Sequence, residues 1–142
     1  MNPVLKNALA VLGGIVIGIL ANASILGLGE AFIGAPAGVD LSDPNNVADN
    51  IHLFEFKHFA MPWLAHAMGT LVGAFTAVKL AANNHLNYAM VIGAFFFTGG
   101  SIMAYMIQGA PLWVNITDLV FAYFPMAWIG AKLAQKNKNL VK

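Results

Sequence analysis

The sequence has 142 residues, of which 59% are hydrophobic and only 9% are charged, and its mean hydropathy is +0.72. A soluble domain carries about 25% charged residues, so this composition excludes an ordinary soluble domain and indicates a membrane protein of one domain. The net charge of +1 excludes the basic field of a nucleic-acid-binding protein, and the absence of Cys excludes disulfides, thiolate metal ligands and a Cys nucleophile.

Four apolar segments are long enough to cross a bilayer, which requires about 20 residues of helix. The segments are residues 8–28, 54–82, 88–107 and 112–133. We therefore predict an all-α fold, a polytopic membrane protein with a four-transmembrane-helix bundle. The chain is expected to form one transmembrane domain, with a loop over residues 30–53.

The first segment has a second interpretation. Lys6, the apolar run and the sequence Ala21-Asn22-Ala23 are typical of a signal peptide with its cleavage site. Because the apolar residues continue to Leu28, we expect a retained transmembrane helix instead.

Two prolines lie inside predicted spans, Pro62 in the second and Pro125 in the fourth. A membrane helix tolerates proline because neighbouring groups satisfy the carbonyl that loses its N–H partner. At both positions we expect a kink and not a break.

Lysine placement predicts the orientation of the spans, because positively charged residues favour the cytoplasmic side. The loop over residues 30–53 contains Asp40, Asp43 and Asp49 but no Lys. We therefore expect this loop outside and both termini inside (N-in/C-in), in the inner membrane of a bacterium. The lysines on the expected inner side are Lys6, Lys79, Lys132, Lys136, Lys138 and Lys142.

The loop itself is rich in glycine, proline and Asn, and its run Asp43-Pro44-Asn45-Asn46 is typical of a turn. About twenty residues is long for a connection between helices. Two interpretations stay open: a cap over the outer mouth of the bundle, or a segment that simply crosses its surface.

Polar and small residues follow one face of each of the last three spans. In lipid such residues must face protein or water, and most of the ionisable ones lie in the outer part of their spans. We therefore predict a polar cavity that is open to the outside and closed below by apolar packing. The residues predicted to line it are Glu30, Glu55, His58, His66, Ser101, Tyr105, Gln108, Asn115 and Asp118.

Asp118 is the carboxylate deepest inside a span, so it needs a partner or a proton. At its depth His58 is the expected neighbour. The pair is either an ion or proton site or a structural hydrogen bond between helices. His66 is either a titrating group or a donor to the carbonyl freed by Pro62.

A metal site is a further alternative. Glu55 and His58 form an E-x-x-H pair on one helix face, and together with Asp118 they could hold one divalent ion. In the opposing interpretation, Glu55 marks the start of the helix and pairs with Lys57. No other cofactor is predicted.

Two G-x-x-x-G motifs, Gly14 to Gly18 and Gly69 to Gly73, predict close helix packing, either within the chain or in a homodimer or a contact with other membrane subunits. The expected partners are thus the lipid bilayer and such subunits, with no nucleic acid.

Three classes of function follow. The first is the binding or transport of a small solute, ion or proton through the polar cavity, which we favour. The second is a structural or accessory subunit, and the third is a metal-binding membrane protein or enzyme. Ser24 and Ser101 have no base at helical spacing, so the sequence does not support serine hydrolase chemistry. Between an enzyme and a protein without enzymatic activity, we favour the latter.

Overall fold

The computed structural model describes residues 2–83 and 85–140, with the backbone alone for residues 137–140. This part of the chain forms helices and no strand. The helices are α1 (Pro3–Phe32), α2 (Pro44–Asp49), α3 (Phe56–Leu80), α4 (His85–Met106), α5 (Leu112–Phe121) and α6 (Phe124–Leu140). Lys142 and the side chain of Lys138, which belong to the orientation argument, lie outside the described residues.

Four helical stretches are long and apolar enough to cross a membrane: α1, α3, α4 and the stretch Leu112–Lys136 that contains α5 and most of α6. The prediction of an all-α chain with four such helices is confirmed. α1 begins earlier than its apolar run, because Asn2 caps it and Pro3 occupies the first turn. The Asn2 side chain accepts a hydrogen bond of 2.9 Å from the backbone N–H of Val4.

The fourth span is broken and not merely kinked. Its backbone leaves the helix at Ala122 and Tyr123 and resumes at Phe124. Pro125 has no N–H to donate to the carbonyl one turn earlier, and its ring disfavours helical backbone at the preceding residues. Pro62 acts differently, since α3 runs through it without interruption.

The loop between α1 and α3 contains more structure than its turn-like sequence predicts. Asp43 caps the short helix α2, accepting a hydrogen bond of 2.9 Å from the N–H of Asn45. A single 3-10 turn, Ile51–Leu53, then leads into α3. The loop packs on the bundle: α2 contacts α4, and the side chain of Ile51 lies beside Gly109 in the α4–α5 connection.

α3 is the central helix, with α1, α4, α5 and α6 all packed against it. α1 runs antiparallel to α3, and its contact with α4 is narrow. Much of the interior is alanine, including Ala65, Ala74, Ala89 and Ala127, so the helix axes approach closely. Large apolar side chains such as those on the outer face of α1 point away from the bundle.

The two ends of the bundle differ in charge. At the end where α1 finishes and α3 begins, here called the loop end, lie the loop acids and Lys57. At the opposite end, the terminal end, lie Lys6, Lys79, Lys132 and Lys136. The side chain of Asn7 links α1 to the segment that follows α3. It donates to the side chain of Asn83 and accepts from the N–H of Ala82, both at 2.8 Å.

Candidate functional site

A cluster of three polar side chains lies inside the bundle where α3 meets the break in the fourth span. The Asp118 carboxylate lies 2.9 Å from His66 Nδ1 through its Oδ1 and accepts a hydrogen bond of 2.7 Å from the Tyr123 hydroxyl through its Oδ2. The Tyr123 hydroxyl also lies 3.0 Å from His66 Nδ1. Tyr123 is buried, and the side chains of His66 and Asp118 are only 24% and 15% exposed.

The break positions two members of this cluster. Asp118 lies near the end of α5, where its backbone carbonyl still accepts from the N–H of Ala122. Tyr123 lies in the break itself, outside the regular rotation of either helix, so its ring can turn inward toward α3. Gly100 of α4 makes room for that ring, since a Cβ at this position would occupy the place of the Tyr123 hydroxyl.

The chemistry of the cluster depends on which protons these groups carry. Where Asp118 is ionised it only accepts, so the Tyr123 O–H and a His66 Nδ1–H would both donate to it. A neutral imidazole with its proton on Nδ1 leaves Nε2 as a bare acceptor. Two donors also offset part of the cost of holding a carboxylate away from water.

Beside this cluster, a cleft of about 680 Å³ separates α1 from α4. Ile19 and Asn22 form the α1 side, residues 91–103 of α4 form the other wall, and His66 and Tyr123 lie at the base. The walls are predominantly apolar. Because α4 side chains along the cleft, such as Phe95 and Ile102, are strongly exposed, the cleft opens on the side of the bundle and not only at an end.

Asn22 is the second polar group of the cleft. It lies within the apolar run of α1, close to α3: a Cβ on Gly69 would stand 2.9 Å from the Asn22 Cβ. Within the described part of the chain its amide makes no hydrogen bond. The Asn22 side chain is half-buried, and an amide in apolar surroundings is costly without a partner.

The predicted pairing of Asp118 with His58 is wrong. His58 instead accepts a hydrogen bond of 2.8 Å on Nδ1 from the N–H of Glu55, as part of the capping box that starts α3. Glu55 is exposed and lies 3.1 Å from Lys57 Nζ. Hydrogen bonding and attraction to Lys57 lower the pKa of Glu55 from its ordinary value. The structure thus favours the helix-start interpretation of this segment.

Among the described residues, no group of three His, Asp or Glu side chains is placed to hold a metal ion. In particular, Glu55, His58 and Asp118 form separate contacts, so the predicted ligand set is not assembled.

Of the residues predicted to line a polar cavity, His66 lines the cleft and Asp118 is bonded directly behind it. The others are distributed over the loop end or the outer faces of α1, α4 and α5, and their part in a cavity stays a prediction. Glu30, Tyr105 and Gln108 are exposed, and Ser101 and Asn115 are half-buried.

Sequence reasoning missed Tyr123, Asn22 and Gly100. A signal existed for the first two. Tyr123 lies two residues before Pro125, where a helix break changes the direction in which side chains point. Asn22 is a lone amide in an apolar run. Gly100 has no local signal, because its role depends on a ring from another helix.

The two G-x-x-x-G motifs pack against each other inside the chain. A Cβ on Gly14 would lie 2.6 Å from the carbonyl oxygen of Gly73, and one on Gly18 would lie 2.7 Å from that of Gly69. This is the first of the two arrangements that the sequence left open. A dimer stays a prediction. Because these glycines are already used within the chain, a dimer would have to form through another surface.

No match was found when the chain was compared with protein-family models, with curated proteins and with solved structures.

Proposed function

We propose that this chain is a multi-pass membrane protein that binds a small, largely apolar molecule in the cleft between α1 and α4, holding the polar group of that molecule at His66. The observation that carries the proposal is an apolar cleft with two polar groups, His66 Nε2 and the Asn22 amide, that have no partner elsewhere in the described chain. Its volume of about 680 Å³ lies within the range of small-molecule sites.

The lateral opening supports a ligand that arrives from the hydrocarbon. Side chains that flank the cleft, such as Val91, Phe95 and Met103, are apolar and exposed. Such a surface suits lipid and not water, because exposed apolar area in water is unfavourable. We therefore propose a membrane-dissolved molecule that enters laterally, whereas the sequence alone predicted a small solute, ion or proton in a polar cavity open to the outside.

Photolabelling tests this proposal. The protein is reconstituted in phosphatidylcholine nanodiscs with a long-chain alcohol that carries a diazirine, and labelled residues are mapped by mass spectrometry. We expect label to concentrate on residues 95–103 of α4 and 19–22 of α1. The variant Gly99→Leu should abolish this concentration, because Gly99 lines the cleft and a Cβ there meets nothing within 4 Å.

Gly27→Leu is the matched control. Gly27 also has open space around its Cβ position but does not line the cleft, so this variant should label like the wild type. Label spread evenly over all lipid-facing helices, and indifferent to Gly99→Leu, would contradict a binding cleft and favour the accessory-subunit alternative.

For the orientation we propose that the terminal end, with its lysines, faces the cytoplasm of a bacterial cell. Because the chain has no Cys, single cysteines report on one position each. A membrane-impermeant maleimide applied to the outside should modify Asp49→Cys in intact spheroplasts but modify Lys136→Cys only after lysis. The reverse pattern would overturn the orientation.

A further inference from the structure

Next to the cleft, toward the terminal end, lies a second depression, here called the groove. It has a volume of about 560 Å³ and lies between the same two helices, lined by residues from Val4 to Leu12 of α1 and by Tyr88 and Val91 of α4. Val91 lines both the cleft and this groove. The α1 residues that line the two depressions, Val4 to Leu12 and Ile19 to Asn22, lie within 18 residues of helix, or about 27 Å, a distance that would suit a long, linear apolar tail.

The charges around the cleft select a neutral head. Among the described residues no Lys side chain lines it, so a phosphate or carboxylate would find no counter-charge from them there. The Asp118 carboxylate lies directly behind His66 and would repel an anion. The base of the cleft is also about ten residues along α3 from its loop end, roughly 15 Å inside the helix. A strongly hydrated head would lose its water at that depth.

The hydrogen-bonding groups select a hydroxyl. In the neutral tautomer that donates its Nδ1–H to Asp118, His66 presents Nε2 as an acceptor, and that atom requires a donor from the ligand. The Asn22 amide, on the α1 side of the cleft, can donate to an oxygen of the same head. A ligand that only accepts, such as a ketone or an ether, would leave Nε2 unpaired.

Aromatic rings favour a flat head. Phe95, Phe96 and Tyr123 line the cleft, and the imidazole of His66 stacks on Tyr123 with ring centroids 5.8 Å apart. Aromatic rings pack well in offset or edge-on contact with such side chains.

We propose that the ligand is a neutral hydroquinone with a long apolar tail. One of its hydroxyls donates to His66 Nε2, an oxygen accepts from the Asn22 amide, and its tail lies in the groove that runs toward Val4. This inference rests on the proposed function, because it names the class of molecule that the same cleft takes.

Competition against the photoreactive alcohol tests the ligand class. Two competitors are compared under anaerobic conditions, decylhydroquinone and its dimethyl ether, which keeps both oxygens and the tail but has no hydroxyl to donate. We expect the hydroquinone to halve the labelling of the cleft at a concentration about tenfold below that of the ether, the effect of one hydrogen bond. In His66→Phe the two competitors should become equal. The comparison of ligands uses the unaltered protein, so it does not depend on the variant folding.

A second readout is the ¹⁵N spectrum of labelled histidine. Nε2 of His66 should shift on addition of the hydroquinone and stay in place with the ether, and His66→Gln assigns the signal. If both competitors displace the alcohol equally in the wild type, the hydroquinone inference is overturned while a cleft for apolar molecules stands. If the alcohol itself shows no labelling that Gly99→Leu removes, the proposed function fails.

Discussion

Two adjacent glycines of α4 allow one substitution to be tested in two opposite environments. A Cβ on Gly100 collides with the hydroxyl end of Tyr123, whereas a Cβ on Gly99 meets nothing within 4 Å. In Gly100→Ala the ring must leave its place or α4 must move away from α6. In Gly99→Ala nothing moves, and alanine is the better helix former.

The magnitudes separate the two variants clearly. Loss of the Tyr123–Asp118 hydrogen bond, which has a charged acceptor, costs about 1.5–3 kcal/mol, and overpacking of the interface costs about 1–3 kcal/mol. The gain in helix propensity offsets roughly 0.5–1 kcal/mol. We therefore expect Gly100→Ala to lower the free energy of unfolding by about 1.5–5.5 kcal/mol and Gly99→Ala to raise it by about 0.5–1 kcal/mol.

The assay is unfolding in mixed detergent micelles with increasing sodium dodecyl sulfate, followed by tryptophan fluorescence, with the free energy obtained by linear extrapolation. The background Tyr123→Phe removes the atom that the new Cβ meets first. In that background the cost of Gly100→Ala should fall by about half, giving a measurable coupling between the two positions. Equal effects of alanine at positions 99 and 100 would refute the packing described for Tyr123.

Two further predictions follow from contacts elsewhere. Gly18→Val places side-chain atoms against the carbonyl of Gly69 and should lower the free energy of unfolding by about 1–3 kcal/mol. Gly27→Val is the control, and a similar loss of stability in both variants would count against the packing of α1 on α3. The pKa of Glu55 lies below its ordinary value because of Lys57, so their contact is present above the unfolded pKa and is lost as the pH falls through the folded pKa. Lys57→Gln should raise the pKa of Glu55 in an NMR titration, and no change would exclude the ion pair in solution.

The four helices were predictable because each apolar run is long and is bounded at its ends by charged residues or by turn residues. Their lengths follow from the same physics that requires about 20 residues to cross a bilayer. The loop was less predictable. Asp43 and Pro44 are as suitable for the start of a helix as for a turn. The contact of Ile51 with Gly109 joins two distant segments, so the local sequence gives no sign of it.

The cluster could be predicted only in part. The cost of holding a carboxylate inside a span indicated that Asp118 needs a partner or a proton. Helical periodicity gives only the direction of a side chain on its own helix, and not the rotation or height of one helix against another. His58 and His66 lie on the same face of α3, so periodicity did not decide between them. The break before Pro125 also rotates the side-chain directions of the fourth helical stretch from those of a continuous helix, so that Tyr123 points inward.

The distribution of apolarity between α1 and α3 has a consequence for biosynthesis. α1 has the highest mean hydropathy of the four membrane-length helices, 2.3, and is 17% buried, whereas α3 has the lowest, 1.2, and is 44% buried. α1 also precedes α3 in the chain and contacts it along both glycine motifs. If the chain is inserted during translation, we therefore expect α1 to enter the bilayer unaided and α3, with its imidazole and its alanines, to insert against α1.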